Sequence, residues 1–97
     1  MYTSINQKDI IYIRSMENYC KFYLKNKSKP ILLNEPLHKQ LTKLDSNFLL
    51  QIHRTCIVNK LYISQKKGNV LLVNNDIQLP IGRNFQINLS KNSIENS

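Results

Sequence analysis

The sequence predicts a mainly β fold: antiparallel sheets with one short amphipathic helix and a C-terminal helical turn. Three observations predict it. Short runs rich in β-branched and aromatic residues recur along the chain, separated by Asn-, Gly- and Ser-bearing turns. A single stretch carries leucines at helical spacing. The chain has 97 residues, enough for one core but not for a second catalytic domain. With no internal repeat, linker or low-complexity segment, residues 1–97 read as a single domain with its core over about 5–89.

Residues 9–14 (DIIYIR) and 19–25 (YCKFYLK) are short and strand-like, with the polar SMEN between them, and read as a hairpin. Alternation in the second run sets Cys20, Phe22 and Leu24 on the core face and Tyr19, Lys21, Tyr23 and Lys25 on the other. NKSK turns the chain into a third strand, 30–33. The helix is expected over 35–44, with Asn34 as N-cap, Pro36 in the first turn, and Leu37, Leu41 and Leu44 at i, i+4, i+7. Strand follows over 49–53, then a corner at 54–59, then a meander of 61–65, 70–74 and 77–81. Lys67-Gly68-Asn69 and Asn74-Asn75-Asp76 supply its tight turns, since Gly and Asn tolerate positive φ. Pro80, lacking a ladder donor, belongs at an edge or strand end. Residues 84–89 predict the terminal helical turn, and the tail 90–97 is expected to fray.

The formal charge is +8, from 14 Lys and Arg against 6 Asp and Glu, which makes a polyanion the first partner to test. No apolar run reaches the roughly 18 to 20 residues of a spanning helix, and the start lacks a signal-peptide pattern, so a cytoplasmic protein without membrane contact is expected. Cys20 and Cys56 sit in apolar surroundings without metal-ligand spacing and are expected as free, buried thiols. The six acids are dispersed and there are only two glycines, which excludes paired-carboxylate chemistry and glycine-rich nucleotide loops. No metal site and no cofactor are expected. His38, beside Lys39, reads as solvent-facing. His53 and Cys56 form the one pairing that resembles a base and a thiol; the competing reading has His53 bonded to a backbone carbonyl and orienting the corner.

Arginine is scarce: Arg14, Arg54 and Arg83 stand against eleven lysines. Where arginine replaces lysine its planar fork matters more than its charge, and a bidentate pair to guanine O6 and N7 is the commonest specific major-groove contact. Arg54 and Arg83 each flank a turn able to project that fork. The alternative is an ion pair with a carboxylate such as Asp76 or Glu17. Lys66 and Lys67, before a glycine turn, suit phosphate contact or plain solubility. Asn59 is expected to bond backbone at the 54–59 corner.

The same residues carry a family resemblance. DIIYIRSMENYCK, the leucine helix, Phe48, then HRTCIVN over 53–59 and LPIGR over 79–83 resemble a LytTR domain, the DNA-binding output module of bacterial response regulators, across about residues 5–89. The resemblance implies an elongated fold of small, mostly antiparallel β-sheets, with loops entering successive major grooves of double-stranded DNA and bending it, and homodimers on repeated half-sites. It places base contacts at Cys20, Arg54 and Arg83, although the strand alternation turns Cys20 inward. Asn18, Lys21, His53, Thr55, Asn59 and Asn84, with Lys66 and Lys67, would hold loops or meet phosphates. Members typically carry a receiver domain in a histidine-kinase pathway, for which 97 residues leave no room, so either an output domain or a free-standing regulator is expected. Competing readings are a β-sheet RNA or single-strand binder stacking bases on Tyr19 and Tyr23, a protein-interaction module, and a small hydrolase built on His53 and Cys56.

Overall fold

The computed structural model describes residues 5–96. Eight strands form two antiparallel sheets: β1 (Ile10–Met16), β2 (Tyr19–Leu24), β3 (Ile31–Leu33), β4 (Leu49–His53), β5 (Cys56–Asn59), β6 (Ile63–Lys67), β7 (Val70–Val73) and β8 (Ile77–Pro80). The first sheet has the order β3-β2-β1-β5-β4 and the second β6-β7-β8. Helix α1 (Leu37–Leu41) links β3 to β4, and α2 (Gln86–Ser90) closes the chain. The molecule is elongated, 42 × 26 × 22 Å along its principal axes.

The five-stranded sheet lies between two apolar clusters. On one face Ile10, Ile13, Cys20, Phe22, Leu24, Leu49 and Ile57 pack under Leu37, with Leu44 and Phe48 at the margin. On the other, Ile11, Leu50, Ile52, Cys56 and Val58 meet Leu71, Val73, Leu79 and Ile81 of the smaller sheet, and Leu89 of α2 joins them. The alternation expected in β2 holds, with Cys20, Phe22 and Leu24 inward.

The residues expected as a corner, 54–59, are mostly the interior strand β5. It pairs with β1 on one side and β4 on the other, and all four residues are buried. A strand with both faces covered carries no polar alternation, so its period is invisible in sequence. Only Arg54 and Thr55 remain as the turn.

The helix is also shorter than 35–44. Proline disfavours helical backbone at the residue before it, so Glu35 cannot start the helix and Pro36 itself takes the N-cap, with no side-chain cap from Asn34. Its inward face is Leu37 and Gln40, and Leu44, beyond its end, packs on the same cluster, whereas Leu41 is exposed. Buried Gln40 is tolerated because its amide donates to Glu35 Oε1 at 2.9 Å.

In the small sheet Asn74 and Asn75 both adopt positive φ, as does Gly68 in the other turn. Pro80 ends edge strand β8, where its missing N–H costs no ladder bond. The meander begins later than expected, because Lys60–Tyr62 forms a 3-10 turn before β6. The tail lies against the body through Asn96: Ile94 packs on the core, and Asn96 Oδ1 accepts from Lys66 Nζ at 2.9 Å and Gly68 N–H at 3.0 Å. Ser97 lies outside the described residues.

Candidate nucleic-acid interface

Strand direction gathers four loops at one end of the molecule. β1 runs up to the Glu17–Asn18 turn, and β4 and β5, paired antiparallel with a register shift between Gln51 and His53, meet there through Arg54–Thr55. β6 and β7 turn through Gly68–Asn69 at the end where β8 finishes, since Val70 pairs with both Lys67 and Pro80. Main-chain hydrogen bonds tie these loops into one rim. Ser15 N–H donates to Thr55 O at 2.9 Å, Gly82 N–H to Ile52 O at 2.7 Å, and Ile81 N–H to Asn69 O at 2.8 Å. The bond from Gly82 to Ile52 joins the two sheets beside the two arginine-bearing loops.

Between those loops lies an open concavity of about 420 Å³ lined by His53, Arg54, Gly82, Arg83, Asn84 and Phe85. Gly82 is required by close approach: a Cβ there would stand 2.8 Å from the Phe85 ring. Asn88, on α2, donates to Gln51 O at 2.7 Å and fixes the helix after Arg83 against the edge of β4.

His53 Nδ1 lies 2.8 Å from Thr55 Oγ1 and accepts the Thr55 N–H at 3.2 Å. An imidazole nitrogen accepting an N–H carries no proton of its own, so this geometry leaves the proton on Nε2. His53 therefore shapes the Arg54–Thr55 turn, through an N–H and a hydroxyl rather than the expected carbonyl.

Arg54 and Arg83 are exposed on either side of the concavity. Among the described residues the carboxylate pairs are Lys25–Asp9 and Lys43–Glu35, so neither Asp76 nor Glu17 engages an arginine. Asn18 and Asn84 are exposed, with no side-chain hydrogen bond among the described residues. Lys67 is exposed at the same rim; Lys66 is half-buried and partly held by Asn96.

Two sequence-predicted site residues lie elsewhere. Cys20 is 0 % exposed, its thiol donating to Glu35 O at 3.2 Å. Burial, then the Glu35 charge, pushes that thiol up from its ordinary value. It packs the core and cannot meet a base edge; its neighbour Lys21 takes the outer face, opposite Arg14. Asn59 sits at the far end of β5, where Oδ1 accepts from Leu61 N–H at 2.9 Å and Nδ2 donates to Ile10 O at 2.9 Å. It caps the Lys60–Tyr62 turn and takes no part in the Arg54 corner.

The hydrolase and base-stacking readings lose support here. Cys56 is fully buried, and burial pushes its thiol up to about 12, with Arg14 pulling the other way; a thiol nucleophile needs access and a lowered pKa. Tyr23 is stacked on Tyr12 with ring centroids 4.2 Å apart, which covers one face of the proposed base platform. Among the described residues no group of three His, Cys, Asp or Glu could hold a metal, and no helix is long and apolar enough to cross a membrane.

Comparison with known proteins agrees with this fold. The chain is similar in structure to the LytTr DNA-binding domain of a protein described as a methyl-accepting/DNA response regulator from Bacillus cereus. The TM-score is 0.77 at 14% identity, covering 90% of this chain and 83% of that one. At that identity the likeness concerns the fold, two antiparallel sheets with few short helices. A search of curated proteins returned no relative. The sequence itself matches the LytTr DNA-binding domain over residues 2–93, and the chain therefore belongs to the LytTR family of DNA-binding domains.

Proposed function

We propose that this domain reads specific double-stranded DNA sequences for a transcriptional regulator through the rim of four loops, with Arg54 and Arg83 on base edges. The observation that carries the reading is the hydrogen-bonded seam that sets two exposed arginines, free of carboxylate partners among the described residues, around one concavity. Arginine in that state presents a planar fork to guanine O6 and N7. Lys21, Lys66 and Lys67 neutralise phosphates, His53 and Thr55 hold the Arg54 turn, and Asn18 and Asn84 reach the DNA from the adjoining loops. The loops enter successive major grooves and bend the duplex. Two copies bind as a homodimer on repeated half-sites about one helical turn apart.

The cellular role is the cytoplasmic output of a two-component response regulator, coupled to a receiver domain and histidine kinase, or a free-standing regulator of the same type. Selection of bound duplexes from a random library tests the binding function. Enrichment of a motif repeated at a fixed spacing is expected. Absence of any enriched motif, or preference for single-stranded competitor, sinks the reading.

A further inference from the structure

We infer that Glu17 is a third specificity-determining side chain, a carboxylate that accepts from the exocyclic amine of a cytosine in the major groove. The inference rests on the duplex-reading function proposed above and extends it to a residue of opposite charge.

Glu17 occupies the tip of the β1–β2 turn and is the only acid in the four rim loops. It is exposed and forms no ion pair or side-chain hydrogen bond among the described residues. Its backbone has φ 56, the left-handed region that Gly or Asn occupies at lower cost. Folding thus gives no reason for glutamate here: the backbone disfavours it and no contact uses it. The Ser15–Thr55 hydrogen bond, two residues away, sets this turn beside the Arg54 turn.

A carboxylate on a surface facing DNA is repelled by every phosphate. In the major groove its best partner is a base amine, and cytosine N4 is the donor that Asp and Glu characteristically accept from. Arg54 and Glu17 then divide the work: the arginine seeks the acceptor edge of a guanine, and the glutamate seeks the donor edge of a cytosine on a neighbouring pair. Glu17 also weakens binding to sequences that offer no amine at that place.

The test is duplex selection with the wild-type domain, Glu17→Gln and Glu17→Gly, alongside Arg54→Ala and Arg83→Ala. Wild type should enrich a cytosine at a position that both arginine variants retain. Either Glu17 variant should lose that preference by roughly 5- to 150-fold, the span for one base contact, while binding unrelated duplex more tightly. Glu17→Gly should melt no lower than wild type, because glycine accepts the left-handed backbone; an altered motif then cannot come from a collapsed turn. An unchanged motif with uniformly tighter binding would reduce Glu17 to simple repulsion and overturn the inference. So would an unchanged motif with altered cooperativity, which would place Glu17 between protein copies. If wild type enriches no motif at all, the duplex-reading function itself fails; if it enriches one indifferent to Glu17, only this inference does.

Discussion

The two sheets solve the same folding problem differently. The five-stranded sheet is covered on both faces at β4 and β5, so that in β5 Cys56 and Val58 enter one apolar cluster while Ile57 enters the other. The three-stranded sheet is covered on one: Leu71, Val73 and Leu79 face the core, and Val70, Gln78 and Lys67 face solvent. The first therefore forms the more deeply buried part of the molecule, and the second is a thinner cover carrying Arg83 at its edge. What the difference teaches is where precision comes from. Arg54 projects from a turn anchored in the doubly buried sheet, and Arg83 acquires comparable placement only through Gly82 and Asn88, which fasten its loop and helix to β4.

The largest test of this contrast is stability. Ile57→Ala, at a side chain that is 0 % exposed, should cost about 2 to 5 kcal/mol in urea unfolding. Val70→Ala, 39% exposed on the open face of the smaller sheet, should stay within about 0.5 kcal/mol. Equal losses would break the distinction between the sheets. On binding, Arg54→Ala and Arg83→Ala should each weaken the selected duplex by about 1 to 3 kcal/mol, as measured by titration, with smaller losses on unrelated duplex. A loss confined to Arg54 would mean that the second sheet is cover alone.

The smallest effect lies away from the rim. Hydrogen bonds from Lys43 and Gln40 hold the Glu35 carboxyl below its ordinary value of about 4.5. A carboxyl lowered in the folded state stabilises above its unfolded pKa, and that contribution disappears as pH falls through the folded one. Glu35→Gln should therefore reduce the melting temperature slightly near pH 7. The difference from wild type should shrink below about pH 4.5, with DNA binding unchanged. A constant difference across that range would remove the carboxyl from the account.

Legibility followed burial. β2, β4, β7 and β8 could be read because alternation, turn residues or both marked them, and Pro80 and the Asn74–Asn75 turn fell where their backbone preferences required. β5 could not be read, because its apolar residues face both ways. The tail was read as frayed because the hold of Asn96 on Lys66 and Gly68 spans distant residues that share no local pattern. At the site, scarcity singled out Arg54 and Arg83, and the alternation that turned Cys20 inward outweighed the family position that would have exposed it. Glu17 escaped notice as a reader because its meaning lies in what surrounds it.

By itself the sequence determined the class of fold, the cationic character and the two arginines, since these follow from local periodicity, residue chemistry and motif order. Only the tertiary structure decided that the two arginines share one concavity, that Asn59 serves the opposite end of β5, and that a lone carboxylate stands in the same rim. Those are consequences of strand direction and sheet order, and the long-range main-chain hydrogen bonds that join the loops are made by groups every residue possesses.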